Sequence, residues 1–152
     1  MGRAGRGARG GCPLTKPVKA IACDYCGNPA ELVGGDVVYP RMPWLADKKI
    51  WRCEPCGAWV GCHQGTTNAL GRLANAELRK AKMAAHAAFD PLWKERVRRT
   101  GCGKKVARSA AYKWLAAQLG IPREECHVGM MDVDRCRRVV EVCAPYAERF
   151  AA

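Results

Sequence analysis

Two copies of one short motif constrain this chain more than any other feature: Cys23-Asp24-Tyr25-Cys26-Gly27 and Cys53-Glu54-Pro55-Cys56-Gly57. Two residues between cysteines place both thiolates on one side of a tight turn. The glycine that follows can take positive φ and turn backbone amides toward the sulfurs. Two such knuckles supply four thiolates, the full tetrahedral set for a structural metal. Cys23, Cys26, Cys53 and Cys56 are therefore read as ligands of Zn²⁺, with iron open to the same four sulfurs. Closed coordination leaves no position for water, so the metal is structural, not catalytic.

The chain has 152 residues and ten cysteines. The first twelve residues hold no apolar run of the roughly 7–15 residues that a secretory leader needs. No segment approaches the roughly 18 apolar residues of a membrane span. A reducing cytosol is expected, where paired cysteines favour metal over disulfides.

Net charge is +12 and unevenly placed. Residues 1–20 carry +5 with no acid, residues 21–62 carry −1, residues 63–122 carry +9 and residues 123–152 carry −1. The positive charge thus lies on an N-terminal arm and a middle segment, not on the metal module. Clustered positive charge is a footprint for a polyanion, usually nucleic acid.

The organisation reads as a basic RG-rich arm over 1–20, a zinc ribbon over 21–66 and a helical region over 67–152, an α+β fold. The arm is low-complexity and is expected to be disordered. In the ribbon, Ala30 to Val33 reads as a strand and Gly34-Gly35 as a hairpin turn. Asp36 to Tyr39 continues as a strand, broken by Pro40 and Pro43. Lys49 to Cys53 alternates polar and apolar, as a half-buried strand does. Ala58 to Cys62 extends past the second knuckle. A sheet this small buries too little to fold alone, so metal binding would stabilise it.

About four helices are expected. The first runs from Ala69 to about Phe89, capped by Thr67 or Asn68. Asp90-Pro91 reads as a restart, giving a second from Leu92 to about Arg99. A third runs from about Lys105 to Leu119, closed by Gly120. A fourth starts at Asp132 and runs to about Cys143, with Val133, Cys136, Val139, Val140 and Cys143 on its buried side.

Several residues have less specific readings. Cys62 and His63 are surplus to the four ligands and read as a strand-end thiol and a loop imidazole. Cys102, Cys126, Cys136 and Cys143 match no standard metal spacing and fit a core role. His86 reads as a helix residue. His127 with Asp132 and Asp134 has no nucleophile motif beside it. Trp51 and Trp59 either pack the ribbon on the helices or stack bases. Trp44, in a proline-bounded loop, is the most exposed candidate. No GxxxxGK[ST], HExxH or GxSxG motif occurs, so the chain is read as non-enzymatic.

Further residues extend the pattern: Cys56-Gly57-Ala58-Trp59-Val60-Gly61-Cys62-His63, then Leu70-Gly71-Arg72-Leu73-Ala74, Phe89-Asp90-Pro91-Leu92-Trp93, Tyr112-Lys113-Trp114-Leu115-Ala116 and Cys126-His127-Val128-Gly129-Met130-Met131-Asp132-Val133. With the two knuckles, this order resembles the zinc-finger-containing domain proteins of tailed phages and prophages, over about residues 21–143. The resemblance implies an N-terminal zinc finger with the same four cysteines, and a phage or prophage origin in a bacterial host cytoplasm. It supplies no reaction and no target. The RG arm is an addition to that pattern, so its role rests on charge alone.

The functional expectation is a non-enzymatic, zinc-stabilised accessory protein that binds nucleic acid, DNA or RNA. Phosphate contacts would come from Arg3, Arg6, Arg9, Arg79, Lys80, Lys82, Arg96, Arg98, Arg99, Lys104 and Lys105. The alternative is a protein-interaction module that modulates a host protein such as RNA polymerase or a defence nuclease.

Overall fold

The structure, a computed structural model, describes residues 18–150. Most of the expected arm, with Arg3, Arg6 and Arg9, lies outside the described residues. The fold is α+β, as expected: a small antiparallel sheet carrying the cysteine knuckles, followed by a helical region.

Three strands form the sheet in the order β1 (Glu31–Gly34), β2 (Lys49–Cys53) and β3 (Ala58–Gly61). The expected alternation in Lys49–Cys53 is only partial, because Ile50 is buried as well as its neighbour Trp51. Trp51 and Cys53 share one face, opposite Val60 and Ala58 in the β2–β3 register. These residues, with Cys23, Ala30 and Leu73, make the ribbon's buried core.

Gly34-Gly35 is not a hairpin turn. β1 runs into a single helical turn, α1 (Gly35–Val38), so Asp36 to Tyr39 is not a strand. Neither glycine takes the positive φ that a tight hairpin needs. Gly35 serves close approach instead: a Cβ there would overlap the Leu45 carbonyl. A short 3₁₀ turn, Pro43–Leu45, then returns the chain to β2.

The first long helix starts later than expected. Ala69 to Ala74 is not helical: it bends at 70–72 and pairs at both ends, Ala69 with Cys62 and Ala74 with Trp59 of β3. Trp59 and Ala74 exchange backbone hydrogen bonds of 3.1 and 3.0 Å, and Leu70 N–H donates to the Gly61 carbonyl. This segment buries Leu73 and Ala74. Helix α2 (Ala76–Thr100) begins after it, capped by Asn75, whose Oδ1 accepts from Leu78 N–H at 3.0 Å.

α2 replaces the two helices expected on either side of Asp90-Pro91. Pro91 lies inside it and the helix continues to the left-handed cap at Gly101. The buried stripe explains why. Leu78, Ala85, Phe89 and Trp93 are all buried on one face that crosses the proline without a phase break. Packing of that stripe outweighs the roughly 3 kcal/mol helix cost of an interior proline. Asp90 caps nothing; its carboxylate accepts from the Trp93 indole N–H at 3.0 Å.

Helix α3 (Lys104–Leu119) matches expectation, including Gly120 in the left-handed region at its end. Two short 3₁₀ turns, 123–125 and 128–130, lead to α4 (Val133–Phe150). Asp132 caps α4 through Arg135 N–H at 2.8 Å. α4 runs past Cys143 and through Pro145, where Tyr146 packs edge-on to Trp114 at 5.2 Å.

The helical core is centred on Phe89, Leu115, Met131 and Val139, with Cys126, Cys136 and Cys143 fully buried among them. Burial pushes all three thiols up, Cys143 to about 11. They are packing residues: Cys136 and Cys143 lie on the buried side of α4, as their spacing implied, and Cys126 comes from the α3–α4 connection. No helix among the described residues is long and apolar enough to cross a membrane.

Candidate metal centre and basic surface

Each knuckle is built by its backbone before any metal is considered. Cys23 N–H donates to the Asn28 carbonyl at 2.8 Å, and Gly27 N–H donates to the Cys23 carbonyl at 2.9 Å. Gly57 N–H donates to the Glu54 carbonyl at 3.0 Å. Gly27 and Gly57 sit at φ of 74° and 58°, the region a side chain disfavours. Tyr25 N–H points at the Cys23 sulfur, 3.4 Å away.

The four sulfurs of Cys23, Cys26, Cys53 and Cys56 lie within 4.8 Å of one another. Cys26 Sγ and Cys53 Sγ are 3.6 Å apart. A tetrahedron with metal–sulfur bonds of about 2.3 Å has edges of roughly 3.8 Å. The donor set therefore fits one tetrahedral metal ion. Cys62 and His63 are not part of this cluster.

The thiols also show why a cation belongs there. Cys26 is held down at about 7, first by its hydrogen bond with the Asn28 backbone and then by the neighbouring thiols. Cys56 is pushed up to about 12, first by Cys26 beside it and then by burial. Four thiols this close resist joint ionisation, and a divalent cation at their centre removes that penalty.

The knuckles are wired to the helical region. Asp24 Oδ2 accepts from Leu73 N–H at 3.0 Å, and the Tyr25 hydroxyl accepts from Asn75 N–H at 3.1 Å. Arg79, in the first turn of α2, stacks on Trp59 with its guanidinium carbon 3.5 Å from the ring centroid. The same guanidinium donates to the carbonyls of Gly57, in the second knuckle, and Ala74. Lys82 donates to the Gly129 carbonyl at 2.7 Å and the Arg72 carbonyl at 3.2 Å. Gly71 meets Gly129 so closely that a Cβ would overlap the Gly129 carbonyl.

Arg79 is thus a strut between metal module and helix. Arg79→Ala is expected to destabilise the protein by about 2–3 kcal/mol, the loss of a stacked cation and two charged hydrogen bonds. Arg79→Lys should restore little, because an ammonium cannot make the planar stack and the fork together. Chemical denaturation of the two variants against the parent checks both statements.

The expected phosphate contacts separate into groups. Arg79 and Lys82 are engaged within the protein as just described. Arg98 is paired with Glu95, whose carboxyl it holds below the usual range. Lys80, Arg96, Arg99, Lys104 and Lys105 are exposed and make no ion pair among the described residues. Lys80 lies apart, about 24 Å along α2 from Arg96 at 1.5 Å per residue.

Lys104 and Lys105 come together with residues that the sequence reading did not single out. A cavity of about 520 Å³ is lined by Lys104, Lys105, Arg108, Ser109, Tyr112, Arg123 and His127. No carboxylate lines it. Lys104, Lys105, Arg108 and Arg123 are in no ion pair among the described residues. Arg123 lies over the Tyr112 ring at 5.2 Å, and the His127 ring packs against it in a tilted arrangement, with centroids 5.4 Å apart. Lys104 and Arg108 also approach the Trp93 ring, at 5.4 and 5.7 Å. Arg108 was legible as the residue one helical turn beyond Lys104. Arg123 and His127 come from the α3–α4 connection, and only the fold brings them in. Two lysines also open α3 with no acid in its first turn, the less favourable arrangement for the helix dipole.

A mostly helical chain with a four-cysteine knuckle pair on a small sheet is a zinc-finger type of architecture. The chain belongs to the zinc-finger-containing domain family, whose match spans residues 19–146. No curated protein and no solved structure matches it significantly.

Proposed function

We propose that this is a zinc-stabilised, non-enzymatic nucleic-acid-binding accessory protein of phage or prophage type, acting in a bacterial cytoplasm. Zinc is the metal that a closed four-sulfur set and the family description favour. It would be held by Cys23, Cys26, Cys53 and Cys56, with no free coordination position for chemistry. Its contribution is folding free energy, delivered through Asp24, Tyr25 and Arg79 to the start of α2.

The observation that carries the nucleic-acid reading is the cleft at the start of α3. Four cations face one cavity with no carboxylate among its lining residues. Such a surface is costly unless an anion meets it, and phosphates match guanidinium and ammonium groups in charge and geometry. Arg96 and Arg99, near the end of α2, are also exposed.

Charge reversal tests it. Lys104→Glu, Lys105→Glu and Arg108→Glu together change exposed side chains only, so the fold should survive. The metal-loaded variant is expected to bind oligonucleotides at least about tenfold more weakly than the parent at low salt. Unchanged affinity removes this cleft from the account. Nuclease-resistant recovery of a single host protein, with no oligonucleotide binding, would support the protein-interaction alternative instead.

A further inference from the structure

A second cavity lies on the ribbon, on residues that the metal centre and the basic cleft do not use. Trp44 is 72 % exposed, the most exposed large aromatic among the described residues. It stands in the 3₁₀ turn Pro43–Leu45, held by backbone hydrogen bonds from Leu45 to Met42, Ala46 to Pro43 and Lys48 to Leu45. The ring is therefore presented from a fixed backbone. It forms one wall of a cavity of about 410 Å³, within the range of roughly 300–1,000 Å³ typical of small-ligand sites.

The rest of that cavity is complementary to a nucleotide. Lys48 and Lys49 line it, and neither makes an ion pair among the described residues. Asp47 is the one carboxylate lining it. The loop from His63 to Thr66 supplies much of the remaining lining. That loop is fixed by His63 N–H to the Asn68 carbonyl at 2.9 Å and by the Thr66 hydroxyl to the His63 carbonyl at 2.9 Å. Gln64 and His63 supply side chains with donors and acceptors to this lining.

We propose that this cavity takes one unpaired nucleotide of a single strand, its base stacked on Trp44 and its phosphate met by Lys48 and Lys49. A flat aromatic face suits any base, because every base has a π-face. Bases inside a duplex are already stacked and cannot reach it. The site therefore gives the protein a preference for single strands, which phosphate contacts alone cannot supply. This inference rests on the nucleic-acid reading above and specifies the substrate class.

The test uses the full, metal-loaded chain with an oligothymidine single strand and a duplex of equal length. Trp44→Ala should weaken single-strand binding by about 5- to 150-fold, the range for loss of one stacked base. Duplex binding should change less than about twofold. Trp44→Phe should recover most of the lost affinity, and the parent's tryptophan fluorescence should be quenched by the single strand. Unchanged single-strand affinity in Trp44→Ala overturns the inference. So does an equal loss on both substrates. If the α3 charge-reversal variant still loses binding in either case, the nucleic-acid reading stands without the stacking site. If the parent binds neither oligonucleotide, both fall.

Discussion

Stripping the metal with a strong chelator is expected to collapse the ribbon and leave much of the helical region standing. Structural zinc supplies roughly 10–16 kcal/mol in small finger peptides, comparable to the whole stability of an ordinary domain. The ribbon core is a handful of side chains around Trp51, Val60 and Leu73, too few to hold a three-stranded sheet without the ion. The helical core around Phe89 and Leu115 is a separate cluster. Loss of the near-ultraviolet signal of buried Trp51, with most of the far-ultraviolet helical signal retained, is the predicted outcome. Fraying is expected at the start of α2, because Asp24, Tyr25 and Arg79 lose their anchor there. Cys53→Ala should reproduce the collapse with metal present. Acidification should do the same, since protonation of the thiolates competes with the ion. A chelated protein with an unchanged tryptophan spectrum would contradict the structural role.

The second large effect is in the helical core. Phe89 is fully buried, and its ring centroid lies 4.6 Å from that of Tyr112. Phe89→Ala is expected to cost about 3–5 kcal/mol in equilibrium unfolding, from lost transfer energy and the cavity left behind. Met83, on the same helix but 74 % exposed, gives the internal contrast. Met83→Ala should stay within about 0.5 kcal/mol of the parent. Similar costs at the two positions would mean that α2 does not pack as described. The position of Phe89 sharpens this: it directly precedes Asp90-Pro91, so its burial is part of what keeps α2 continuous there.

The four-cysteine cluster was legible because knuckle geometry is local. Two CxxCG units place their thiols without reference to the fold, and the four sulfurs converge as that spacing requires. The Gly120 end of α3 and the Asp132 cap of α4 were legible for the same reason. Local signals failed where tertiary contact overrode them. Asp90-Pro91 carries a restart signature, but the stripe from Leu78 to Trp93 crosses it. Gly34-Gly35 carries a hairpin signature, but Gly35 answers to the Leu45 carbonyl. Ala69 to Ala74 looks helical by composition, yet its backbone pairs with β3. Charge was the least legible feature. A basic segment does not reveal that Arg79 braces Trp59, that Lys82 holds the Gly129 carbonyl, or that Arg123 joins Lys104 from 19 positions away.

The central claim is that uncompensated cations on α3 meet nucleic-acid phosphates. The most direct measurement is the salt dependence of binding for the parent and the α3 charge-reversal variant on one single-stranded oligonucleotide. Each phosphate neutralised contributes about −0.7 to the slope of log K against log salt on a single strand. The account predicts that the variant's slope is shallower by about 2, corresponding to three lost contacts. Parallel lines with the same slope would contradict it.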